Sequence, residues 1–321
     1  MKTIKGLFSS NAARFVLKLG ISMALLLAIF NFIGAGKIYD ELMNASPYYL
    51  VLAAAFVPIQ ILFKAARWSS IINIFKSKIS LKASYAYTLI SQSFGIITPG
   101  RVGELVKAKF LVDDTGMGYG RSIFTIIIDK AFDVIAGALI ALGGLAFIWP
   151  KSHAKAFFAA AFIAYLLLML FSLLFFSKIK KQILRLILKL LPKKYKANFD
   201  GLIMPRMLYA KSLAYSMLIL IALSVQGFFV SKALYMDISF FVMLTLIPLM
   251  ALSSSLPISI GGVGIREIVS ISFLSSIGIP AEKSAVLSLL YTFITFGIPA
   301  IIGAILFFRR KKSTNQQKHR P

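Results

Sequence analysis

Long apolar segments alternate with short polar stretches along the whole chain. A segment of about 20 apolar residues is long enough to cross the ~30 Å hydrocarbon core of a bilayer as a helix. The pattern predicts six full spans, over residues 17–35, 48–63, 121–149, 156–177, 213–230 and 283–308. Two more apolar segments, 81–112 and 239–277, are each interrupted near the middle. The chain is therefore predicted to be an all-α polytopic membrane protein with two broken segments.

Helix-breaking residues mark both interruptions. A glycine costs about 1 kcal/mol relative to alanine inside a helix, and a proline also removes a backbone donor. The first interruption contains Pro99, Gly100 and Gly103, and the second contains Pro257, Gly261, Gly262 and Gly264. We expect each segment to form a re-entrant or broken helical hairpin that turns within the membrane, with these residues at its tip.

An arginine and a glutamate follow the breakers in both places. The charged residues are Arg101 and Glu104 in the first interruption and Arg266 and Glu267 in the second. A charge at membrane depth costs roughly 2.5–3.5 kcal/mol on insertion scales, so these side chains are expected to face a cavity or a partner. One interrupted segment in each half is typical of a transporter site near the bilayer midplane. The alternative is that both interruptions are ordinary turns between spans.

Composition supports a membrane protein and excludes several soluble classes. The 321 residues are 59% hydrophobic, with a mean hydropathy of +0.84, which leaves little room for a soluble domain. We expect a single integral membrane domain over residues 1–312 and a disordered basic tail over 313–321. The chain has no cysteine, and its two histidines are His153 and His319. We therefore expect no metal, no cofactor and no catalytic residue of the cysteine or histidine type.

The net charge of +25 is better explained by a role of the basic residues in membrane topology than by nucleic-acid binding. Lys and Arg number 36 against 11 acidic residues and concentrate between the apolar segments, where they orient spans and contact anionic lipid. Basic segments favour the cytoplasmic side of the membrane. The basic amphipathic stretch 178–196 and the cluster 309–312 both lie on that side only if each interrupted segment enters and leaves the membrane on the same face. Both termini are then cytoplasmic at the plasma membrane, and residues 48–149 and 211–308 form an inverted repeat.

Two more groups of polar residues lie near the ends of spans. Asp129, Lys130 and Asp133 occur early in the segment 121–149, and the two aspartates share one helix face because they are four residues apart. Arg67 and Trp68 follow the span 48–63. A basic residue beside an aromatic one is typical of a membrane interface, so we interpret this pair as an interface anchor.

These stretches together resemble the transmembrane family named after lysylphosphatidylglycerol synthase, also called the flippase-like or UPF0104 family. The resemblance rests on residues 67–68, 99–104, 129–133 and 261–267 and extends over nearly the whole chain. At 129–133 the usual Glu-Arg-x-x-Asp of the family is replaced by conservative changes. In the best-known members this region is fused to a cytosolic aminoacyl transferase and is thought to move the aminoacylated lipid across the bilayer. The resemblance implies lipid translocation, and we expect no transferase domain, since only a short tail follows the last basic cluster.

These features favour a lipid flippase-like transporter for a phospholipid or a polyprenyl-type lipid. Arg101 and Arg266 are predicted to bind the lipid phosphate, because guanidinium groups suit bidentate phosphate contact. The acids are predicted to hold the arginines or to meet a cationic headgroup. The predicted substrate-binding residues, with four negative and three positive charges, are Arg101, Glu104, Asp129, Lys130, Asp133, Arg266 and Glu267. Since the hairpins enter from opposite faces, we expect their tips to meet and these side chains to line one cavity.

The expected partners are membrane lipids that are anionic or bear a phosphate. A lipid-synthesising enzyme and a second copy of the chain are further candidates, and no nucleic acid is expected. Three alternative functions stay open. The protein could be a membrane-embedded lipid-modifying transferase or its accessory subunit, or a small-solute or ion transporter. The charged groups could also be buried ion pairs that only fix helix packing.

The first prediction concerns topology: residue 153 should lie outside the cell, and residues 178–196 inside. Because the chain has no native cysteine, a His153→Cys variant carries a single thiol. A membrane-impermeant maleimide added to intact cells should label it, whereas a Lys189→Cys variant should react only after permeabilisation. Labelling of residue 153 from the cytoplasmic side alone would contradict the predicted topology.

Overall fold

The protein is all-helical wherever its structure is described. The computed structural model describes residues 11–98, 100–148, 204–255 and 259–318, and these ranges contain helices and connecting turns and no strand. The helices are α1 (Asn11–Ile33), α2 (Ala35–Met43), α3 (Pro47–Ile72), α4 (Leu81–Ile96), α5 (Lys107–Thr115), α6 (Tyr119–Ile148), α7 (Arg206–Ala233), α8 (Phe240–Ser254), α9 (Ile265–Ser275), α10 (Ala281–Thr292) and α11 (Ile298–Lys318). Two 3₁₀ turns, Asn73–Phe75 and Val102–Val106, follow α3 and precede α5, and a π turn, Phe293–Gly297, joins α10 to α11.

Several of these helices are long and apolar enough to cross a membrane. Within the described residues there are three such stretches, Pro47–Phe75, Arg206–Ala233 and Ala281–Arg310, and they contain three of the predicted spans. The helices α1 and α2 provide a fourth if the pair is counted as one broken span. The prediction of a helical, membrane-embedded protein is therefore confirmed. The predicted span 156–177, the basic stretch 178–196, Pro99 and Pro257 lie outside the described residues.

The two ends of the chain add detail that the hydrophobic pattern does not contain. The axes of α1 and α2 meet at 86°, and Gly34 turns the chain between them with a φ of +94°, which a residue with a Cβ rarely adopts. At the other end, α11 continues to Lys318. Residues 313–318 are therefore helical where a disordered tail was expected, and residues 319–321 of that tail lie outside the described part of the chain. Residues 313–318 contain no glycine or proline to end the helix.

Both interrupted segments are broken where the glycines occur. After α4 the chain turns through Gly100 and Arg101, with φ of +58° and +57°, into the 3₁₀ turn Val102–Val106, which packs back against α4. After α8 the chain passes Gly261, Gly262 and Gly264, all at positive φ, before α9 begins and packs against α8. Neither segment is a continuous span.

The helices of the two halves of the chain pack in an exchanged pattern. The long helices α3 and α7 pack on each other at the centre. The first helix of each interrupted segment then packs against the last long helix of the other half, so α4 contacts α11 and α8 contacts α6. In addition α3 packs on α4 just as α7 packs on α8. This exchange brings the two interruptions together in the middle of the protein.

Glycines allow very close approach in both exchanged pairs. A Cβ built on Gly303 of α11 would overlap the backbone carbonyl oxygen of Leu89 in α4. A Cβ built on Gly144 of α6 would overlap the side chain of Thr245 in α8. Small residues are typical of helix contacts in membranes, because they let the backbones pack closely where no hydrophobic effect drives association.

We predict that Gly303→Ala destabilises the protein, because the new methyl group meets backbone that cannot rotate away. Overpacking of this kind typically costs about 1–3 kcal/mol. The matched control is Gly20→Ala in α1, where no atom of the described part of the chain lies within 4 Å of the added Cβ. The measurement is thermal unfolding of both variants purified in detergent. An unfolding midpoint for Gly303→Ala equal to that of the control would contradict the close contact between α4 and α11.

Candidate functional site

The two interruptions touch each other. The backbone N–H of Gly261 donates to the carbonyl oxygen of Thr98, with an N···O distance of 3.4 Å. A Cβ at Gly261 would overlap the carbonyl oxygen of Ile96, and its φ of +60° is one that glycine adopts without strain. The glycine is therefore required by both the conformation and the contact, and it places the second interruption against the end of α4.

Two arginines, one from each interruption, converge on a single aromatic ring beside this contact. The guanidinium carbon of Arg101 lies 4.3 Å from the centroid of the Phe296 ring, and that of Arg266 lies 4.4 Å from it. Phe296 belongs to the π turn between α10 and α11 and is buried. The face of an aromatic ring is electronegative and attracts cations. We call Arg101 and Arg266 the arginine pair.

The two members of the arginine pair are compensated very differently. Arg101 Nε lies 2.7 Å from Glu104 Oε1, and its Nη2 donates to Gln92 Oε1. Arg266 donates to Thr292 Oγ1 at 3.3 Å and to the carbonyl oxygen of Gly261. It has no carboxylate within 4.0 Å among the described residues, although it is only 2% exposed, and its Nε has no hydrogen-bond partner there.

Glu267 does not pair with its neighbour Arg266. Its Oε2 accepts from the backbone N–H of Gly264 at 2.6 Å, so it caps the start of its own helix α9. Its Oε1 accepts from Ser288 Oγ at 3.1 Å. Adjacent residues on a helix do not face each other, whereas residues three apart do. This difference in spacing explains why Arg101 reaches Glu104 and Arg266 does not reach Glu267.

A second group of charges lies between α3, α5, α6 and α7. Arg67 Nε lies 2.8 Å from Asp129 Oδ1, and Arg67 Nη1 lies 2.7 Å from Asp133 Oδ1 and donates to Ser216 Oγ at 2.6 Å. Lys107 Nζ lies 3.1 Å from Asp129 Oδ2. These contacts make Arg67 the link between three long helices.

The structure corrects the interpretation of Arg67 and Trp68 as an interface anchor. Both side chains are buried inside the protein. The indole of Trp68 donates to Thr125 Oγ1 at 3.0 Å, and Lys107 Nζ lies 4.4 Å from the centroid of its ring. A basic and aromatic pair at the end of an apolar stretch is also what a buried cation with an aromatic neighbour looks like in sequence, so only the fold separates the two cases.

Lys130 and Glu104 join this group to the arginine pair. Lys130 Nζ lies 2.5 Å from Glu104 Oε2 and 3.9 Å from Asp133 Oδ2. The side chains of Lys130 and Asp133 are 40% and 34% exposed, so they are the open members of an otherwise buried cluster. We call the whole cluster the charged network; its members are Arg67, Arg101, Glu104, Lys107, Asp129, Lys130, Asp133 and Arg266.

Four residues that contribute to the site were not predicted to bind substrate, and the sign of the net charge therefore differs from the predicted one. Lys107, Gln92 and Phe296 were not among the predicted site residues, and Arg67 was predicted only as an interface anchor. With Glu267 counted, the site holds five cations against four acids, whereas the sequence predicted three against four. A lysine or glutamine within an apolar segment was the signal available for Lys107 and Gln92; nothing in the sequence marks Phe296.

We predict that Asp129→Asn strongly destabilises the protein, since it leaves Arg67 and Lys107 buried without their shared carboxylate. Removing one partner of a buried ion pair costs about 3–5 kcal/mol. The control is Asp40→Asn, at an exposed position of α2. The measurement is the yield and unfolding temperature of the monodisperse protein in detergent. Equal stability of the two variants would contradict a structural role for the Asp129 pairs.

The chain is similar to known proteins over a range that includes every residue of this site. The family model for the lysylphosphatidylglycerol synthase TM region matches residues 15–303. A UPF0104 membrane protein of Pyrococcus horikoshii is 24% identical over 91% of this chain and 96% of its own length. A UPF0104 membrane protein of Methanocaldococcus jannaschii is 22% identical over 93% of this chain and 95% of its own. The resemblance seen in the sequence is confirmed: the chain belongs to the family of membrane proteins defined by the lysylphosphatidylglycerol synthase TM region.

Proposed function

We propose that this protein is a flippase-like transporter that moves a phosphate-bearing lipid across the bilayer, with the arginine pair as its headgroup site. One observation carries the proposal: Arg266 is a buried cation with no carboxylate within 4.0 Å among the described residues, and it shares one ring with a second arginine. An uncompensated buried charge is costly, so a site of this kind favours binding an anion.

The geometry around Arg266 favours a phosphate over a simple halide ion. A guanidinium presents a planar fork of donors that matches two phosphate oxygens at once. Arg266 Nε has no hydrogen-bond partner among the described residues, so this donor is free to take part in such a contact. Arg266 is also the second residue of α9, where the helix dipole adds partial positive charge. Arg266, the start of α9 and the neighbouring Arg101 therefore all favour the binding of an anion.

Glu104 provides a route for the arginine pair to change partners. It is shared between Arg101 and Lys130, which lie 2.7 and 2.5 Å from its two oxygens. If Arg101 turns to a phosphate, Glu104 keeps Lys130 as its counter-ion, so no isolated buried charge is created. Binding of the headgroup is then coupled to a rearrangement of the charged network and not to the loss of an ion pair.

An inverted repeat is the architecture that we propose for this transport. The exchanged packing of α4 with α11 and of α8 with α6 supports two halves related by a pseudo-two-fold axis. In this arrangement six full spans accompany two re-entrant hairpins, and both termini lie in the cytoplasm at the plasma membrane. Inverted repeats with broken helices at the centre are common in transporters that alternate access to a midplane site.

We predict that Arg101→Lys and Arg266→Lys each slow lipid transport about tenfold or more while leaving folding largely intact. Lysine keeps the charge and loses the bidentate fork. The control is Arg206→Lys, at an exposed position at the start of α7. The assay follows fluorescent phospholipids in liposomes that contain each purified variant, with a quencher added outside. Wild-type rates in both variants would mean that the arginines only fix helix packing.

A further inference from the structure

Phe296 lies where a ligand of both arginines would lie. Its ring centroid is 4.3 Å from one guanidinium carbon and 4.4 Å from the other, so the two cations are held within about 9 Å of each other by a neutral side chain. We propose that Phe296 is a placeholder for the anionic headgroup, and that it sets the affinity of the site by competing with the phosphate for the arginine pair. This inference rests on the proposed function.

The competition follows from what each partner offers to the arginines. The faces of the ring carry only partial negative charge, and the ring accepts no directional hydrogen bond from the guanidinium forks. A phosphate carries a full negative charge and accepts bidentate hydrogen bonds. The ring therefore stabilises the empty site enough for the protein to keep the two arginines close together. A phosphate must displace the ring before it binds, and this displacement lowers the affinity of the site for phosphate.

The backbone next to Phe296 is held in place by hydrogen bonds, so the proposed displacement would rotate the side chain alone. The preceding residue, Thr295, accepts a hydrogen bond at its carbonyl oxygen from Gln60 Nε2 at 3.3 Å. Its Oγ1 donates to Gln226 Oε1 at 2.8 Å, and Gln226 in turn donates to the carbonyl oxygen of Ala53 at 3.1 Å. These bonds tie the π turn to α3 and α7. Turns of this type are frequent at functional sites.

The test is a Phe296→Leu substitution, which keeps the apolar volume and removes the ring face. Binding of inorganic phosphate and of a short-chain phosphatidic acid to the purified protein in detergent is measured by calorimetry. We expect the dissociation constant of both probes to fall about tenfold relative to wild type. The matched control is Phe293→Leu in the same π turn, where the ring is exposed and no change is expected.

Each outcome decides a different question. Unchanged or weaker binding in Phe296→Leu, with normal binding by the wild type, overturns the placeholder and leaves the headgroup site intact. Absence of binding by the wild type and by Phe296→Leu overturns the headgroup site and the placeholder with it. Tighter binding of inorganic phosphate alone would identify free phosphate as the ligand and would overturn the lipid assignment.

A second variant keeps the test valid if Phe296→Leu does not fold. Incorporation of 3,5-difluorophenylalanine at position 296 preserves the shape of the ring and weakens its electronegative face. Probe binding should again become tighter, by a smaller factor than in the leucine variant. Equal affinity of the fluorinated and natural proteins would mean that the ring acts on the arginines through its shape and not as a substitute for the anion.

Discussion

The arrangement of the helices depends on how the positive charge of Arg67 is neutralised inside the protein. A buried guanidinium has no bulk water around it and needs partners from the protein. The carboxylate partners of Arg67 come from α6 and its hydroxyl partner comes from α7, so one side chain of α3 fixes the relative positions of three helices. Burying an ion pair gives little net stability compared with apolar packing, but breaking it is costly. The network therefore selects one arrangement of the helices more than it strengthens the fold.

The two interruptions use the same residue types to different ends. In the first, the glutamate is three residues after the arginine and neutralises it. In the second, the glutamate directly follows the arginine and caps the start of its own helix. Among the described residues, no carboxylate therefore lies within 4.0 Å of Arg266 to neutralise it. A spacing of one residue instead of three thus converts a repeated motif into an asymmetric site. The excess of positive charge at the centre comes from Arg67 and Lys107, because each interruption brings one arginine and one glutamate.

The sequence predicts those parts of the site that depend on interactions between residues close together in the chain. Glycine and proline act on their own backbone, so the positions of both interruptions could be read directly. The partners of Arg67 lie more than 60 residues away along the chain, and an arginine at the end of an apolar stretch looks the same whether it faces lipid headgroups or aspartates. Phe296 is one of 28 phenylalanines, and only the fold distinguishes it from the others.

The close glycine contacts at Gly303 and Gly144 also bear on the mechanics of the protein. Each joins a helix of one half to a helix of the other so tightly that the pair has little room to slide. The units that stay rigid are then α4 with α11 and α8 with α6, which are not the two halves of the chain. Hydrogen bonds of Arg67 and Gln226 also hold α3 against α7, so the two glycine-rich turns are the places where the backbone between these units can change conformation most easily. The first turn contains Arg101 and the second directly precedes Arg266, so a change of backbone conformation in either turn would displace a member of the arginine pair.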